Sequence, residues 1–585
     1  MFVSYVILLS IGCSSDKGSD AHTGTTEDTQ EDTEDTNEQD TSPDTDTDTA
    51  QETAEPVQRV AKSLVIIWDG ARPDALAKAN TPNMDSLING TWHPEYQGAY
   101  SPLAQNLYDA TTVSGPNHST IMTGATGSQH GVTGNGDVGG GDFVTYPHYL
   151  QILEGSNPEL NTACLFTWGT DALIPSGADF IYDGGDGDNI DRVVDIVKGT
   201  FSADAWTEGT NPDAVFLFLD DSDHAGHAHG FEMGIQEYND EMQELDTQIG
   251  TILSALQARP TFDEESWQLV FTSDHGGYHT NHYGNSASEH TIPFLVAGRD
   301  VEQGRLPLDT SIVDVVPTVL SHHGIAISSE LTGTARGGQV VSAPSSPASL
   351  LRYYTFDGTL DDASTSNVSA QMGSESDHDP VLHPTDGKFG GYLSIADYGG
   401  GSGDSSYLTL GSAQDLQFGE SDSFTVTLWF KSDGIQSGDP LILGNKNWNS
   451  GANQGWLLSA NEGGGNSFGT NHASDASGRV DIEDLDYSAD EWWFLATVVH
   501  PGELAVLYAG NADGLRWIAH RYPEPTDLTS GLPLNLGQDG TGSYSHNLAG
   551  DVDDLAIWNR ALGFEEVQAL YASGAGITAE EFTRE

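Results

Sequence analysis

The chain has 585 residues, which is too many for a single hydrophobic core, so we expect at least two domains. Its 88 acidic residues against 20 lysines and arginines give a formal net charge of −68, which excludes a general basic surface for nucleic acid or anionic lipid. A nucleic-acid polymer is therefore not an expected partner, and acidity along the whole chain is typical of a secreted or salt-adapted protein.

The chain begins with a short apolar segment that ends at a cysteine. This stretch, "MFVSYVILLSIGC", is too short to span a bilayer, and over residues 1–13 it resembles a bacterial lipoprotein signal with Cys13 as the lipidated residue. Plain secretory cleavage and a misassigned start are the alternatives. We therefore expect an extracytoplasmic protein that is lipid-anchored at a membrane surface or in the periplasm, or secreted.

An acidic segment follows this cysteine. Residues 14–56 repeat Asp/Glu-Thr and contain almost nothing apolar to bury, so we expect a disordered, self-repelling tether. The chain has two cysteines, and if Cys13 is lipidated only Cys164 remains, which excludes an intrachain disulfide. Cys164 lies in the apolar stretch "ACLFTW", where a buried, unreactive thiol is expected.

Three apolar runs, each ending in an acidic residue, predict a parallel sheet after residue 57. They are "SLVIIWDG" (63–70), "AVFLFLDD" (214–221) and "LVFTSDHG" (269–276), and their near-continuous hydrophobicity is typical of strands covered on both faces. Residues 235–257, between the last two runs, have the apolar periodicity of an amphipathic helix. We predict an α/β domain over residues 57–341, with a layered, mostly parallel sheet and helices on both faces.

Acidic side chains and histidines follow the ends of these strands. The ligand site of such a sheet lies at the carboxyl ends of its strands, where five acids fall: Asp69, Asp220, Asp221, Asp223 and Asp274. So many carboxylates repel one another unless cations compensate them. Asp223 with His227, and Asp274 with His275, mix carboxylate and imidazole, which suits zinc better than all-oxygen calcium. Two metal ions fit these ligands better than one, although each motif alone would also suit a solvated loop.

A candidate nucleophile lies between the first two of these strands. In "TTVSGPNHSTIMTGATGSQHGVTGN" (111–135), Ser114 precedes Gly115-Pro116 and a predicted helix start. Its hydroxyl would then lie at the positive end of a helix, where an alkoxide is stabilised. The alternative is a helix cap, which would need no metal ions nearby.

Taken together, these motifs resemble the alkaline phosphatase superfamily, nearest its nucleotide pyrophosphatase/phosphodiesterase-like branch. The resemblance rests on Asp69 in "WDGARPD", Ser114 in "SGPNH", Asn135 in "HGVTGN", and the motifs "DHAGH" and "SDHGG", in this order over about residues 60–340. It implies that Asn135 donates a hydrogen bond to a nonbridging phosphate oxygen. It also implies a first zinc ion that activates the nucleophile, held by Asp69, Ser114, Asp274 and His275.

The resemblance further implies a second zinc ion, which stabilises the leaving oxygen and is held by Asp223, His227 and one more histidine. Three histidines precede the next apolar run: His279, His282 and His290. His282, followed by Tyr283-Gly284, resembles the "DHGG…HG" form of bacterial members and is favoured. His290, in "EHTIP", is similar to the phosphomutase relatives and is the alternative. His279 is expected to line the pocket or to face solvent.

The stretch after the nucleophile region predicts the substrate class. Monoesterases of the superfamily supply extra cations there, but "ACLFTWGTDALIPSG" contains no base, and its Trp168-Gly169 is similar to the diesterase branch. We therefore expect diesters or pyrophosphates, with Trp168 available to stack on a leaving group such as a nucleoside. The stretch "YDGGDGDNIDR" (182–192) lacks the terminal glutamate of a calcium loop and is expected to be a turn leading into a helix.

A second domain follows a Gly/Ser/Pro-rich linker at residues 342–347. Short alternating strands over residues 348–577 resemble laminin-G/concanavalin-like jelly-roll sandwiches, and residues 578–585 are expected to be a tail. The resemblance implies binding of a glycan or a surface protein and allows Ca²⁺ in this all-β domain. Its acids Asp551, Asp553 and Asp554 are expected to shape a strand turn.

These observations predict a phosphoric-ester hydrolase with two Zn²⁺ ions, or Mn²⁺ or another divalent metal in one site, and a serine nucleophile. Its substrates would be phosphodiesters or pyrophosphates, as small phosphate esters or nucleotides. An alkaline phosphomonoesterase, or a phosphonate or sulfate esterase, is the alternative on the same scaffold. A surface binding or adhesion protein with an inactive hydrolase domain is the alternative of another class, and the intact ligand set speaks against it.

Overall fold

The computed structural model describes residues 59–107, 111–203, 206–341, 349–373, 378–398, 406–412, 414–434, 436, 438–461 and 466–584. The predicted signal, with Cys13, the acidic tether and the linker at 342–347 lie outside the described residues. Within those ranges no helix combines the length and the apolar character needed to cross a membrane.

An eight-stranded sheet forms the centre of the N-terminal domain, with the strands in the order β4-β3-β5-β1-β6-β7-β2-β8. Strand β7 runs antiparallel to both of its neighbours, and every other pair is parallel. This confirms the prediction of a mostly parallel sheet. The strands are β1 Val60–Trp68, β2 Gln97–Gln105, β3 Thr162–Phe166, β4 Phe180–Asp183, β5 Ala214–Leu219, β6 Glu265–Thr272, β7 Thr291–Gly298 and β8 Gly304–Arg305.

Helices cover both faces of this sheet. Alternate residues of β1 enter opposite cores: Leu64 and Ile66 pack with helix α8, whereas Val65 and Ile67 pack with helices α3 and α10. This two-sided burial is why the strands are continuously hydrophobic. The helices are α1 Pro73–Lys78, α2 Pro82–Ile88, α3 Ser114–Thr123, α4 Gly127–His130, α5 Tyr149–Ser156, α6 Asp186–Lys198, α7 Asp221–His229, α8 Gln236–Gln257, α9 Ala287–His290 and α10 Val315–His322. Short 3₁₀ turns span Val138–Gly140, Gly169–Leu173, Phe262–Glu264 and Ile312–Asp314.

Two details of the sequence analysis are decided in this domain. Cys164 is buried in β3, as predicted, and burial raises the pKa of its thiol to about 12, so it stays protonated and unreactive. The stretch at 182–192 is the end of β4, a turn and the start of α6, in agreement with the turn-to-helix prediction.

The second domain is a sandwich of two antiparallel sheets. One has the order β10-β13-β22-β15-β16-β17-β18, and the other β11-β12-β23-β14-β19-β20-β21, with β9 paired to β23. Their strands are β9 Leu350–Tyr354, β10 Gln371–Met372, β11 Val381–His383, β12 Tyr392–Ile395, β13 Leu408–Gly411, β14 Phe424–Ser432, β15 Leu441–Gly444, β16 Gly455–Asn461, β17 Ser467–Ala473, β18 Val480–Asp486, β19 Trp493–His500, β20 Leu504–Gly510, β21 Leu515–Arg521, β22 Leu534–Leu536 and β23 Gly550–Trp558. The predicted all-β sandwich is confirmed.

The end of the chain is more regular than the predicted tail. After helix α11, Phe564–Tyr571, residues Ala579–Arg584 form helix α12. The buried Ala579 donates its backbone N–H to Asp554 Oδ2 at 3.2 Å. Asp551 forms an ion pair with Lys431 at 2.7 Å, and Asp553 accepts a hydrogen bond from the backbone N–H of Phe389 at 2.8 Å. These acids lie within β23 and bind protein groups.

Candidate functional site

The site lies where three neighbouring parallel strands end. Strands β5, β1 and β6 are adjacent in the sheet, so the residues that follow them meet at one edge. Asp69 follows β1, Asp274 and His275 follow β6, and Asp223 lies in the first turn of α7, which follows β5. The order of the sheet therefore brings together ligands that are far apart in sequence.

One group of donor atoms surrounds His275. The ligand atoms of Asp69, Asp274 and His275 all lie within 4.8 Å of one another. His275 Nε2 is 3.2 Å from Asp69 Oδ1 and 3.2 Å from Asp274 Oδ2. Ser114 begins α3, and its Oγ lies 3.4 Å from the same nitrogen. The structure thus brings together all four residues that the resemblance implied for the first zinc ion.

A second group lies beside the first. Asp223, His275 and His282 also have ligand atoms within 4.8 Å of one another. His227 Nε2 lies 3.4 Å from Asp223 Oδ2 and 3.0 Å from His282 Nε2. His282 Nε2 is 3.5 Å from Asp223 Oδ1. These are the residues expected for the second ion, with His282 as the third ligand.

The protonation of these histidines follows from their other ring nitrogens. Nδ1 of His227, His275 and His282 contacts the backbone carbonyls of residues 280, 276 and 112 at 2.8, 2.8 and 2.6 Å. A carbonyl can only accept, so each Nδ1 carries a proton and each Nε2 is the ring nitrogen that faces the cluster. The Nε2 atoms of His227 and His282 lie 3.0 Å apart, an arrangement that a cation bound to both nitrogens would stabilise.

The buried carboxylates of the cluster also need a cation nearby. Among the described residues, Asp69 Oδ1 and Asp223 Oδ1 are buried without a hydrogen-bond donor, while Asp274 Oδ2 lies 3.2 Å from His118 Nε2. Burial, with Asp274 and Asp223 nearby, raises the pKa of Asp69 well above its usual value, and burial raises the pKa of Asp223 to about 7. Burial also acts on Asp274, but His275 and His118 outweigh it and hold its pKa below the usual value. This donor set fits two divalent metal ions.

His290 does not reach this cluster. Its Nε2 contacts Asn285 Oδ1 at 2.6 Å, and its Nδ1 contacts Asn106 Oδ1. Both ring nitrogens of His290 therefore contact side-chain amides. The alternative that made His290 the third ligand does not agree with this geometry. His279 is half exposed and pairs with Glu232 at 3.1 Å, as expected for a residue near solvent.

One residue of the site was missed by the sequence analysis. His118 lies one helical turn after Ser114, and its Nε2 is 3.2 Å from Asp274 Oδ2 and 3.4 Å from Asp69 Oδ2, while Nδ1 is 3.0 Å from Asp171 Oδ1. Burial lowers the pKa of His118, but the three carboxylates outweigh it and raise that pKa well above the usual value. The i, i+4 spacing within "SGPNH" was the signal that could have identified it.

Asp220 and Asp221 have supporting positions. Asp220 shares a group of close ligand atoms with Asp69 and Asp223. The backbone N–H groups of Asp220 and Asp221 donate to Asp186 Oδ2 at 3.0 and 2.9 Å. Asp186, from the stretch at 182–192, thereby fixes the start of the helix that carries Asp223.

Asn135 lies next to the nucleophile. The backbone N–H of Gly115 donates to Asn135 Oδ1 at 2.8 Å. Because that N–H can only donate, the side-chain oxygen must face Gly115, which leaves the Nδ2 group of the exposed Asn135 to donate elsewhere. This orientation suits the hydrogen-bond role that the resemblance implied.

The basic partners of the cluster's carboxylates are histidines. In the described part of the chain, every ion pair of Asp69, Asp171, Asp220, Asp223 and Asp274 is with a histidine. Arg72 is buried nearby, but it binds Asp74 at 2.7 Å and the carbonyl of Gly277 at 3.0 Å. The half-buried Trp168 meets His118 edge to face, with ring centroids 5.3 Å apart.

Comparison with known families agrees with this geometry. Residues 63–292, which contain every residue of the cluster, match the model of the type I phosphodiesterase/nucleotide pyrophosphatase family. The α/β domain is similar to this family over the matched residues and is named here the phosphodiesterase domain. Residues 401–568, after this phosphodiesterase domain, match the concanavalin A-like lectin/glucanases superfamily, which agrees with the laminin-G/concanavalin-like resemblance.

Curated relatives match less than two fifths of the chain. The chain is 25% identical over 237 residues to ectonucleotide pyrophosphatase/phosphodiesterase family member 7 of Mus musculus, covering 38% of this chain and 51% of that protein. It is also 25% identical over 231 residues to a bis(5'-adenosyl)-triphosphatase of Mus musculus, covering 36% and 46%. The chain thus spans about half the length of these relatives.

Solved structures align with about half of the chain. Murine ectonucleotide pyrophosphatase/phosphodiesterase 5, in complex with AMP, aligns with a TM-score of 0.35 at 14% identity, covering 46% of this chain and 96% of that one. A 2-O GAG sulfatase aligns with a TM-score of 0.38 at 14% identity, covering 49% and 76%.

Proposed function

We propose that the phosphodiesterase domain hydrolyses phosphodiesters or pyrophosphates, with Ser114 as nucleophile and two zinc ions in the histidine–aspartate cluster. A bimetal centre is supported by the Nε2 atoms of His227 and His282, which lie 3.0 Å apart, and by the buried oxygens Asp69 Oδ1 and Asp223 Oδ1, which have no hydrogen-bond donor. The relatives support the reaction class, because their names describe pyrophosphatases, phosphodiesterases and a dinucleoside triphosphatase.

The ligands divide into two sets. The first set is Asp69, Ser114, Asp274 and His275, and the second is Asp223, His227 and His282. Zinc ions bound there would lower the pKa of the serine hydroxyl and neutralise charge on the attacking and leaving oxygens. Mn²⁺ or another divalent ion in one set would supply the same chemistry.

The side chains have distinct roles in this reaction. Ser114 Oγ would form a bond to phosphorus as the bond to the leaving oxygen breaks, and water would later cleave the phosphoserine bond. Asn135 Nδ2 would donate to a nonbridging oxygen, held in direction by Gly115. His118 would offset the charge of Asp69 and Asp274 and fix their orientation.

One observation supports a preference for diesters. The carboxylates of the cluster form their ion pairs, among the described residues, with histidines and with no lysine or arginine. A monoester brings one more negative charge than a diester and needs an additional cation to stabilise it. Trp168, half-buried against His118, supplies an aromatic surface near the nucleophile for the leaving group.

The decisive experiment is Ser114→Ala with Ser119→Ala as its matched control. Both substitutions remove one hydroxyl from α3, but Ser119 Oγ donates to the carbonyl of Gly115 at 2.8 Å and does not contact the cluster. Ser114→Ala should lower hydrolysis of bis(p-nitrophenyl) phosphate by about a thousandfold or more, since the nucleophile is lost. Ser119→Ala should remain within a few-fold of wild type, and retained activity in Ser114→Ala would contradict the proposal.

The alternatives are distinct outcomes of the same assay. A wild type that prefers p-nitrophenyl phosphate, or its sulfate, would identify a monoesterase or a sulfate esterase. Metal analysis should find about two zinc ions per chain. No bound metal and no turnover of any ester would favour a binding protein with an inactive hydrolase domain.

We also retain three proposals for the rest of the chain. A lipid at Cys13 would place the enzyme at an extracytoplasmic membrane surface. Labelling with a fatty-acid analogue, which should be absent in Cys13→Ala, tests this.

The sandwich would dock the enzyme to a glycan or a surface protein, and could hold Ca²⁺. The close groups of metal-binding side chains found among the described residues all lie in the phosphodiesterase domain. Glycan-array binding with and without Ca²⁺ tests both points.

A further inference from the structure

The loop that carries His282 has little structure of its own. Residues 275–290, named here the histidine loop, connect β6 to β7, and their one regular element is the four-residue helix α9. A short helix of this kind is marginal by itself, so tertiary contacts must hold the loop. These contacts decide where His282 lies relative to Asp223.

The C-terminal sandwich provides several of these contacts. Ala287 of α9 is 1% exposed and belongs to the apolar core that is otherwise formed by sandwich residues. Asp484 Oδ2, on β18, accepts hydrogen bonds from Ser288 Oγ at 3.0 Å and Ser288 N at 3.3 Å. Two positions further along, Asp486 accepts a hydrogen bond from Tyr278 at 3.3 Å. Strand β18 therefore contacts the loop near its beginning and near its end.

Strand β21 fixes the exit of the same loop. The backbone N–H of Ala519 donates to Thr291 Oγ1 at 2.9 Å, and the single proton of this hydroxyl faces the carbonyls of Ala287 at 2.7 Å and Ala519 at 3.2 Å. Gln105 of β2 donates to the Ala519 carbonyl at 2.7 Å. The first residue of β7 is thus joined to both the sandwich and the central sheet.

Hydrogen bonds inside the loop connect α9 to His282. Glu289 accepts from the backbone N–H groups of Gly284 at 2.9 Å and Ser286 at 2.8 Å. His290 contacts Asn285 at 2.6 Å. A displacement of α9 would therefore move the backbone two residues after His282.

We propose that the sandwich positions His282, with Asp484 as the main positioning residue, so that the second metal-ligand set is complete only in the two-domain protein. The completeness of the metal site rests on the proposed function. The bracing of the loop, meaning the positioning of residues 275–290 by the sandwich, does not rest on it. A carboxylate that accepts two hydrogen bonds from one residue holds it more firmly than a neutral acceptor does. The sandwich is thus part of the active-site structure, in addition to any binding role.

The test compares Asp484→Ala with Asp475→Ala in the full chain. Asp475 also accepts from a serine N–H and hydroxyl, those of Ser477, at 2.8 and 2.7 Å, but inside the sandwich. Hydrogen exchange of residues 276–291 in metal-free protein should be about tenfold faster in Asp484→Ala and unchanged in Asp475→Ala. Asp484→Asn, which keeps an acceptor oxygen, should restore most of the protection.

Zinc release gives the second measurement. A chromophoric chelator should remove one of two zinc ions about tenfold faster from Asp484→Ala than from wild type, because one ligand is poorly held. Ser288→Ala in the Asp484→Ala background should add little, since both changes remove the same contact. Equal exchange and equal zinc release in the Asp484 and Asp475 variants would overturn the proposal.

The two proposals fail in different ways. If wild type binds no zinc and hydrolyses no ester, the proposed function fails, and hydrogen exchange alone decides the bracing. If wild type is an active zinc enzyme and exchange of the loop is indifferent to Asp484, the bracing fails and the function stands. Should Asp484→Ala not fold, Ser288→Ala, which removes a single hydroxyl, takes its place in both measurements.

Discussion

At the scale of single residues, the direction of each imidazole decides which histidines can hold a metal ion. The Nδ1–H groups of His227 and His282 donate hydrogen bonds to backbone carbonyls, which leaves Nε2 facing the cluster. His290 has amide oxygens at both nitrogens, and one of them belongs to Asn106, which donates to the carbonyl of Asp274 at 3.2 Å. His290, in the same loop, therefore links Asn106 to Asn285 by hydrogen bonds.

This difference predicts separate effects of two alanine substitutions. His282→Ala should reduce bound zinc from about two ions to about one, because the second set keeps two of its three protein ligands. His290→Ala should keep both ions but lower the melting temperature, since Asn106 and Asn285 lose their shared partner. Zinc stoichiometry by elemental analysis and thermal melting separate the two. Loss of zinc in His290→Ala alone would transfer the ligand role.

At the scale of elements, the start of α3 depends on a glycine that admits no side chain. A Cβ on Gly115 would lie 2.7 Å from Val138 Cγ2 and 3.0 Å from Asn135 Oδ1. The first distance is shorter than real Cβ contacts and the second is tighter than most of them, so Val138 would have to shift and Asn135 would be crowded. Helix α3 and the segment that carries Asn135 are thus fitted to each other around the nucleophile.

Gly115→Ala should therefore lower kcat for bis(p-nitrophenyl) phosphate by about ten- to a hundredfold, through displacement of the Asn135 donor. Bound zinc should stay at the wild-type level, because no ligand of either set is displaced. Gly136→Ala is the matched control, since a Cβ there would meet nothing within 4 Å. Equal activity of the two variants would show that Asn135 does not contribute to the rate.

At the scale of the whole molecule, the two domains share apolar surface. Residues Gln58–Glu585 form one compact unit. Leu103 of β2 lies in an apolar cluster of the sandwich with Tyr508 and Trp517, and the Trp517 indole donates to the carbonyl of Pro102 at 3.0 Å. Separation of the domains would expose this cluster to water.

We therefore expect the two domains to unfold together. Differential scanning calorimetry of the zinc-loaded protein should give one transition, because loss of either domain exposes the shared cluster. A chelator should shift this whole transition to lower temperature, since metal binds the folded state alone. Two separate transitions, with the chelator shifting one of them, would indicate independent domains.

The main architecture and most of the cluster were predictable from the sequence. Strands buried on both faces must be continuously apolar, so β1, β5 and β6 could be recognised from their apolar runs. The acids that follow these strands then had to meet at one edge of the sheet. Asp69, Ser114, Asp223, His227, Asp274 and His275 were predicted and lie together. The alternation of short strands likewise predicted the sandwich, because one face of each sheet is buried.

The tertiary structure decided the features that depend on contacts between distant segments. His282 contacts the carbonyl of Thr112, 170 residues away, and lies beside His227, whereas His290 contacts Asn106 and Asn285. His118 belongs to the site because Asp171, in the 3₁₀ turn Gly169–Leu173, and Asp274, after β6, both contact it. The link between Asp484 and Ser288 spans 196 residues and two domains. Local periodicity carries no information on such pairs, because they are fixed by how the whole chain packs.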